Sequence, residues 1–381
     1  MIESKGIFLF KLHTVIPAYT LVDNGRMASF ILYSRHLQYK QEQMKEKRPN
    51  FTWNEILDTL YPLQSTGKSN VYVILLESFI DVRDLHGVTF NKNPIYHKFL
   101  HFLPGDTFYY AKSSYIGWGT AQTTFEVFTG IPALHKYSDV EFAMFNAYPV
   151  PSLLQWLKQN DYSTVAFVAT GKDYYNMANA YKSLGFDSTI FLKELPEYRD
   201  LLRVMDSSLY NFGLDFIRNN VRKPFIVYFV TMYEHWPWQM NPPAGKEEIS
   251  VNPNIPEIEF LANATYWRTR DLYNFISHIL TMDSSAIIVF YGDHTPPQVN
   301  WDGIAYRKQP DAAPFLIINK GRVVTISTKK HAIPFYIINR IIHKCLVTQQ
   351  CTEIYADSLY LDSNIYVKIY DDIIKYGFSG M

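Results

Sequence analysis

The chain has only two cysteines in 381 residues, Cys345 and Cys351, six positions apart. No CxxC pair and no His-rich cluster accompanies them, so nothing points to a zinc-finger-type site. The spacing leaves two readings open: a small disulfide loop, which suits an oxidising compartment, and two unpaired thiols. Net charge is also lacking, because 36 basic side chains balance 36 acidic ones. Nucleic-acid binders carry a basic excess or stripe, so no nucleic-acid partner is expected. No apolar run reaches the roughly 18–20 residues of a membrane-crossing helix. The nearest, Gly6 to Val22, is broken by Lys11, His13 and Pro17 and lacks the layout of a cleavable signal peptide. There is no internal repeat and no low-complexity tract.

Apolar and aromatic mass is plentiful. A 48% hydrophobic content supplies a core and excludes general disorder. Aromatics reach 16%, with 29 Tyr and 26 Phe, a surplus used first in core packing and second on sugar, lipid or interface surfaces. The length suits one large domain, alone or with a small one. Residues 1–25 are mostly apolar and aromatic, with Asp23-Asn24-Gly25 as a turn. From Arg26 to Arg48 the chain is amphipathic and charged, and QYKQEQMKEK (38–47) reads as an exposed helix end or linker. Pro49 and the stretch from Ser65 to Ser69 punctuate the approach to the main body. The expected division is a helical linker segment over 1–67 and a catalytic-size domain over 68–381.

From Asn70 the pattern becomes periodic. Val71 to Leu76 (VYVILL) is continuous, apolar and rich in β-branched residues, as a buried parallel strand must be. Similar runs follow at Thr164 to Val168, Phe225 to Val230, Ala286 to Tyr291 and Phe315 to Ile318. Helical stretches lie between and around them: Val150 to Gln159, Tyr174 to Leu184, Ala262 to Leu280 and Ala332 to His343. This alternation predicts an α/β fold with a predominantly parallel central sheet and helices on both faces. In such sheets the ligand site lies beyond the carboxyl ends of the strands.

Those ends carry chemistry. Glu77 and Ser78 follow VYVILL, Asp293-His294 follows AIIVFYG, and TMYEHWPW (231–238) follows FIVYFV. A carboxylate directly after an apolar strand is costly to bury unless it is paired or holds a metal. Two carboxylates and an imidazole suit a divalent ion such as Mn2+, Zn2+ or Mg2+. As single residues, acids at strand ends also serve as helix caps. A fourth element is SSYIGWGTAQTTFEVFTGIPAL (113–134). Gly117 and Gly119 make a turn, Thr120 opens a helix over 121–128, and Gly130 and Pro132 close it. Thr120 is either an N-cap or a nucleophile at a helix start, where the dipole favours an anion.

Taken together, NVYVILLESF (70–79), Gly117 to Leu134, TMYEHWPW (231–238) and FYGDHTP (290–296) resemble the lipoteichoic acid synthase and phosphoglycerol transferase group of the alkaline phosphatase–sulfatase superfamily. Ala264 to Ile279, with Tyr266 and Asp271, resembles the long helix before the last metal-binding strand, and Gly185-Phe186-Asp187 the turn closing a substrate-side helix. The resemblance spans about 68–345. It implies Glu77, Thr120, Asp293 and His294 as ligands of one divalent metal, Mn2+ foremost with Zn2+ or Mg2+ as alternatives. It implies Thr120 as nucleophile, in preference to Thr123 and Thr124, and His235 as the histidine on the phosphate or leaving group. His235, Trp236, Lys172, Tyr175 and Trp118 are the implied substrate-binding residues.

Where the polymer-making members carry a His before a Gly and then Trp and Arg, this chain reads ATGKDYYNMAN (169–179). Thr170 stands for the His, Tyr174 or Tyr175 for the Trp, and Lys172 is the nearest cation. The first 50 residues resemble a juxtamembrane linker, with Phe8, Phe10 and Tyr19 as a membrane-facing surface or as packing against the body. The implied partners are a phospholipid donor, an envelope glycan or lipid acceptor and a membrane surface. The implied location is the cell envelope, outside the cytoplasm. A formylglycine sulfatase needs a Cys/Ser-x-Pro-x-Arg pattern, which 113–134 lacks, and no second set of metal ligands for a two-metal phosphatase stands out. Phospho-alcohol transfer through a phospho-threonine therefore leads. Phosphoethanolamine transfer, hydrolysis at the same site and a non-catalytic binding role are the alternatives. Arg268 and Arg270 on the long helix are expected to face solvent.

Overall fold

The computed structural model describes residues 48–63, 68–113, 118–199, 201, 203–238, 249–296, 304–306, 311–348 and 351–380, with short helical pieces within 27–42. The aromatic front end (Phe8, Phe10, Tyr19), the 23–25 turn and Gly117 lie outside the described residues. The central sheet is built from β1 (Val71–Leu76), β2 (Tyr109–Lys112), β3 (Ser163–Val168), β4 (Ser188–Phe191), β5 (Phe225–Val230), β6 (Ile287–Gly292), β7 (Ala312–Asn319), β8 (Arg322–Val323) and β9 (Ile333–Pro334). Its order is β9-β2-β7-β6-β1-β5-β3-β4, with β8 added to β7. The run from β6 to β4 is parallel. β7 lies antiparallel to both β6 and β2, so the expected parallel sheet carries one reversed strand.

The unbroken apolar run of β1 has a direct cause. Val71, Val73 and Leu75 enter one core, and Tyr72, Ile74 and Leu76 enter the other. A strand covered on both faces cannot alternate with polar residues. The first core packs α1 (Trp53–Leu60), α2 (Thr120–Thr129), α3 (Leu153–Gln159), α4 (Met177–Leu184), α7 (Phe335–Thr348) and α8 (Ser363–Ser379). The second packs α5 (Asp206–Asn220) and α6 (Pro256–Met282). Ile56, Leu57 and Leu60 of α1 are buried in the first core, and the Asn50 and Phe51 N–H groups donate to Asp372 of α8 at 2.9 Å each, so the chain joins the body before residue 60.

The strands foreseen in the sequence form within a residue or two, except that β7 runs from 312, not 315. β2, β4, β8 and β9 were not foreseen. They are two to four residues long, too short to show a period. Cys345 and Cys351 are joined, which selects the disulfide reading. Among the described residues no helix is long and apolar enough to cross a membrane.

Candidate active site

β6, β1 and β5 are parallel neighbours, so their carboxyl ends open on one edge of the sheet. Glu77 leaves β1 there, Asp293-His294 leaves β6, and Thr231 to Trp238 leaves β5. The start of α2 is brought over the same edge. Thr120 Oγ1 donates to Asp293 Oδ2 at 2.7 Å and lies 3.3 Å from Glu77 Oε2. His294 Nε2 is 3.5 Å from Glu77 Oε1 and 3.4 Å from Asp293 Oδ2. One ligand atom from each of Glu77, Asp293 and His294 falls within 4.8 Å of the others, and all three residues are buried.

Two glycines make this approach feasible. Gly292 ends β6 with its Cα facing the β1 exit; a Cβ there would sit 2.5 Å from the Phe79 carbonyl oxygen. Gly119 caps α2 with φ 136°, a conformation L-residues with side chains avoid. Gly119 therefore takes the N-cap place that the sequence left open to Thr120. Thr120 is the first helical residue, and its hydroxyl is turned to the carboxylates and not to the helix backbone. The neighbouring hydroxyls are engaged elsewhere: Thr123 donates to the Asp293 carbonyl (3.0 Å), and Thr124 to the Thr120 carbonyl (2.7 Å).

The electrostatics fit a cation site. Burial, and then the Glu77 carboxylate beside it, push the Asp293 carboxyl up to about 6, while His294 and the Thr120 hydroxyl pull the other way. Burial opposes charge on His294, yet Asp293 and Glu77 overcome it and hold its pKa above the usual value. His294 Nδ1 lies 2.9 Å from the Thr295 carbonyl, which can only accept, so Nδ1 carries a proton and Nε2 faces the carboxylates. Two buried carboxylates with an imidazole nitrogen and a hydroxyl turned inward form a donor set for one hard or borderline divalent ion.

His235 stands at the side of this cluster. Its Nε2 lies 2.9 Å from the Tyr174 hydroxyl, and burial, with the nearby Arg203 charge second, lowers its pKa. It is Tyr174 and not Tyr175 that meets His235; Tyr175 packs on Tyr174 with ring centroids 4.4 Å apart. Both tyrosines feel the Glu77 and Asp293 charges, and burial first of all raises both pKa values. Lys172, the cation singled out in the sequence, is half-exposed and faces Glu194 at 4.0 Å. Trp236 is 52% exposed. Trp118 packs half-buried against the α2-side core.

Two arginines escaped the sequence reading. Arg203 donates from Nη2 to the His235 and Pro237 carbonyls (2.9 and 3.2 Å) and interacts electrostatically with Glu77 and Tyr174. Arg268, expected in solvent, is instead 2% exposed and lies directly behind Glu77. The α6 face that bears it is covered by the strand ends, which a helical period alone does not reveal. Arg270 is 42% exposed, as expected.

Comparison with known proteins agrees with this architecture. A protein described as a putative cyclic beta-1,2-glucan modification protein from Rhizobium meliloti (strain 1021) is 28% identical over 239 residues, covering 61% of this chain and 36% of its own. The chain thus spans about a third of that relative. Among solved structures, the phosphoglycerol transferase GacH of Streptococcus pyogenes, in complex with sn-glycerol-1-phosphate, superposes with a TM-score of 0.61 at 17% identity, over 90% of this chain and 92% of its own. The lipoteichoic acid synthase LtaP of Listeria monocytogenes gives 0.59 at 18% identity, over 84% and 81%. At such identities they show a shared fold. The Sulfatase family profile matches residues 69–336, which is most of the chain and contains every strand end described above; the chain belongs to the sulfatase family.

Proposed function

We propose that this protein is a metal-dependent phosphotransferase that moves a phospho-alcohol group, phosphoglycerol-like, from a phospholipid head group to a glycan or lipid acceptor of the cell envelope, through a phosphorylated Thr120. The observation that carries the reading is the Thr120 hydroxyl aimed at the Asp293 and Glu77 carboxylates from the first residue of α2. Glu77, Asp293, His294 and Thr120 would hold one divalent ion, Mn2+ foremost. Such an ion lowers the pKa of a bound hydroxyl and offsets charge on phosphoryl oxygens.

The chain's own residues supply the rest. Asp293 receives the Thr120 hydroxyl proton's hydrogen bond, which orients an oxygen lone pair outward. Thr120 Oγ1 gives up its proton to Asp293 as it attacks the phosphodiester phosphorus, and the bond to the donor's alcohol oxygen breaks. The α2 start presents the N–H groups that a helix leaves outside its own ladder, a natural seat for phosphoryl oxygens. Arg203 supplies positive charge on the His235 side, from a segment other than 169–179. His235 and Tyr174, hydrogen-bonded to each other, are placed to pass a proton to the departing alcohol. The acceptor hydroxyl then takes the phosphoryl group from Thr120 by the reverse geometry; with water as acceptor the same site is a hydrolase. The glucan-modifying relative and the phosphoglycerol-transferring neighbour favour the transferase outcome. Neither cysteine lies near 113–134 and its serines lack the Ser-x-Pro-x-Arg context, so formylglycine chemistry has no precursor pattern there.

The test is intact-protein mass after incubation of the Mn2+-loaded protein with phosphatidylglycerol or phosphatidylethanolamine. A covalent adduct mapped to Thr120 identifies the transferred group. An adduct on another residue, with Thr120 unmodified, overturns the assignment.

A further inference from the structure

Directly behind the metal-type cluster lies a buried charged network that the proposed chemistry leaves unused. Arg268 Nε donates to Asp206 Oδ2 at 2.7 Å, Nη1 to the Glu77 carbonyl at 2.9 Å and to Glu234 Oε2, and Nη2 to Thr231 Oγ1 at 2.9 Å. Arg268, Asp206, Glu234 and Thr231 are each 2% exposed or less. One guanidinium thus ties four elements: the β1 exit, the β5 exit, the first residue of α5 and the middle of α6.

As a stability device this arrangement is poor. Two carboxylates share one cation, and Asp206 Oδ1 and Glu234 Oε1 have no hydrogen-bond partner among the described residues. Burying three charges costs more than a well-packed apolar plug of the same volume. Its geometry suggests another use. β1 leaves the sheet ladder after Leu76, and the next residue must turn its side chain into the site while Ser78 takes φ 52°. The peptides on either side of Glu77 therefore lose their strand partners and must find others. They find Thr231 Oγ1, which accepts from the Glu77 N–H at 3.1 Å, and Arg268, which donates to the Glu77 carbonyl. Arg268 also donates to Thr231 Oγ1, so a single planar fork sets both peptide planes of Glu77. Through Glu234 the same fork holds the residue next to His235.

We propose that Arg268, acting with Thr231, is a positioning residue that presets the Glu77 carboxylate for the cation and fixes its distance from His235, without touching substrate or metal. The proposal rests on the reading of Glu77 as a metal ligand. Arg268 leaves the carboxylate itself alone and grips only its backbone, so the negative charge of Glu77 stays directed at the site. A lysine cannot replace it, because one ammonium cannot span Asp206, Glu234, Thr231 and the Glu77 carbonyl at once.

The test measures Mn2+ affinity by calorimetry and thermal stability for the whole chain, alongside transfer activity as a function of added Mn2+. Three variants are compared: Arg268→Lys, Thr231→Val, and a charge-free triple variant (Arg268→Met, Asp206→Asn, Glu234→Gln) that removes the fork together with the carboxylates it neutralises. The expected result is a 10–100-fold weaker Mn2+ affinity in folded variants, with activity partly recovered at high Mn2+ and no rescue by lysine. Folded Thr231→Val or triple protein that binds Mn2+ within twofold of wild type overturns the positioning role and leaves the metal site standing. Wild-type protein that binds no Mn2+, Zn2+ or Mg2+ overturns the metal reading and the proposal with it.

Discussion

Replacing Thr120 by alanine separates the chemistry from the fold. The hydroxyl's bond to the Asp293 carboxylate (2.7 Å) is a bond to a charged group, of a kind that contributes about 1.5–3 kcal/mol. The lost methyl group removes about 0.8 kcal/mol of burial. Helix capping is untouched because Gly119 is the N-cap, and alanine returns roughly 0.5 kcal/mol of helix propensity. The sum is a loss of about 2–3 kcal/mol, so Thr120→Ala should stay folded with a melting temperature a few degrees lower. Mn2+ affinity should fall only modestly, since Glu77, Asp293 and His294 remain. Turnover of head-group-labelled phosphatidylglycerol or phosphatidylethanolamine should drop by about 10^4 or more, as expected when the bond-forming atom of a covalent mechanism is removed. Thr120→Ser should keep measurable activity and still form the adduct. Thr124→Val should form it too, because the Thr124 hydroxyl is committed to the Thr120 carbonyl and to Tyr228. Full activity in folded Thr120→Ala would refute the nucleophile assignment.

Other consequences follow from the same geometry. Gly292→Ala places a Cβ 2.5 Å from a backbone oxygen that has no rotamer to yield, so the β1 and β6 exits must separate; calorimetry should show both a weaker Mn2+ site and lower stability, and unchanged affinity would exclude the close approach as a requirement. Glu141 is 1% exposed, and burial above all lifts its carboxyl to about 7, against the bonds it accepts from the His135 N–H and the Tyr370 hydroxyl. A raised folded-state pKa favours the protonated native protein, so this stability is full below about 4.5 and is lost as pH climbs through about 7. The drop totals on the order of 3 kcal/mol. Denaturant titrations from pH 5 to pH 8 should show that slope reduced by one proton in Glu141→Gln; an unchanged slope assigns it elsewhere. Opening the Cys345–Cys351 loop with paired serines should cost about 2 kcal/mol by the chain-entropy relation for so short a loop, read by denaturant midpoint.

How far the site could be read from sequence follows from where each residue sits. Glu77 and Asp293-His294 were legible because β1 and β6 are buried on both faces; an unbroken apolar run that stops on a charge marks a strand end by itself. Thr120 was legible through the glycines around it, although the sequence could not say that Gly119, not Thr120, is the cap. Arg268 was not legible. Its carboxylate partners lie 62 and 34 residues away, and an arginine in a long helix looks like a solvated one until tertiary packing covers that face. Arg203 was missed for a related reason, since it precedes α5 in a stretch without period. Sequence left Tyr174 and Tyr175 open as alternatives, and of the two it is Tyr174 that bonds His235. Tyr175 and Asn176 both take positive φ, 47° and 58°, and this local turn settles which ring meets His235. The short strands β2, β4, β8 and β9 are stabilised by neighbours already in the sheet, so their sequences carry little signal.

The distribution of charge across this edge argues for two distinct kinds of acid. Four carboxylates approach it: Glu77, Asp293, Asp206 and Glu234. Arg268 takes the last two directly and meets Glu77 only through its backbone. Had the guanidinium instead paired with the Glu77 carboxylate, one of the two front charges would be cancelled and the pull on a cation weakened. As built, the rear pair shares one fixed positive charge, while the front pair is left facing His294 and Thr120. Asp293 accordingly holds its proton up to about 6, raised by burial and then by the neighbouring Glu77 carboxylate. A divalent ion held there, as proposed, would compete with protons for the same oxygens. The fold supplies the negative charge, the oriented hydroxyl and the rigid backing that the proposed cation would need.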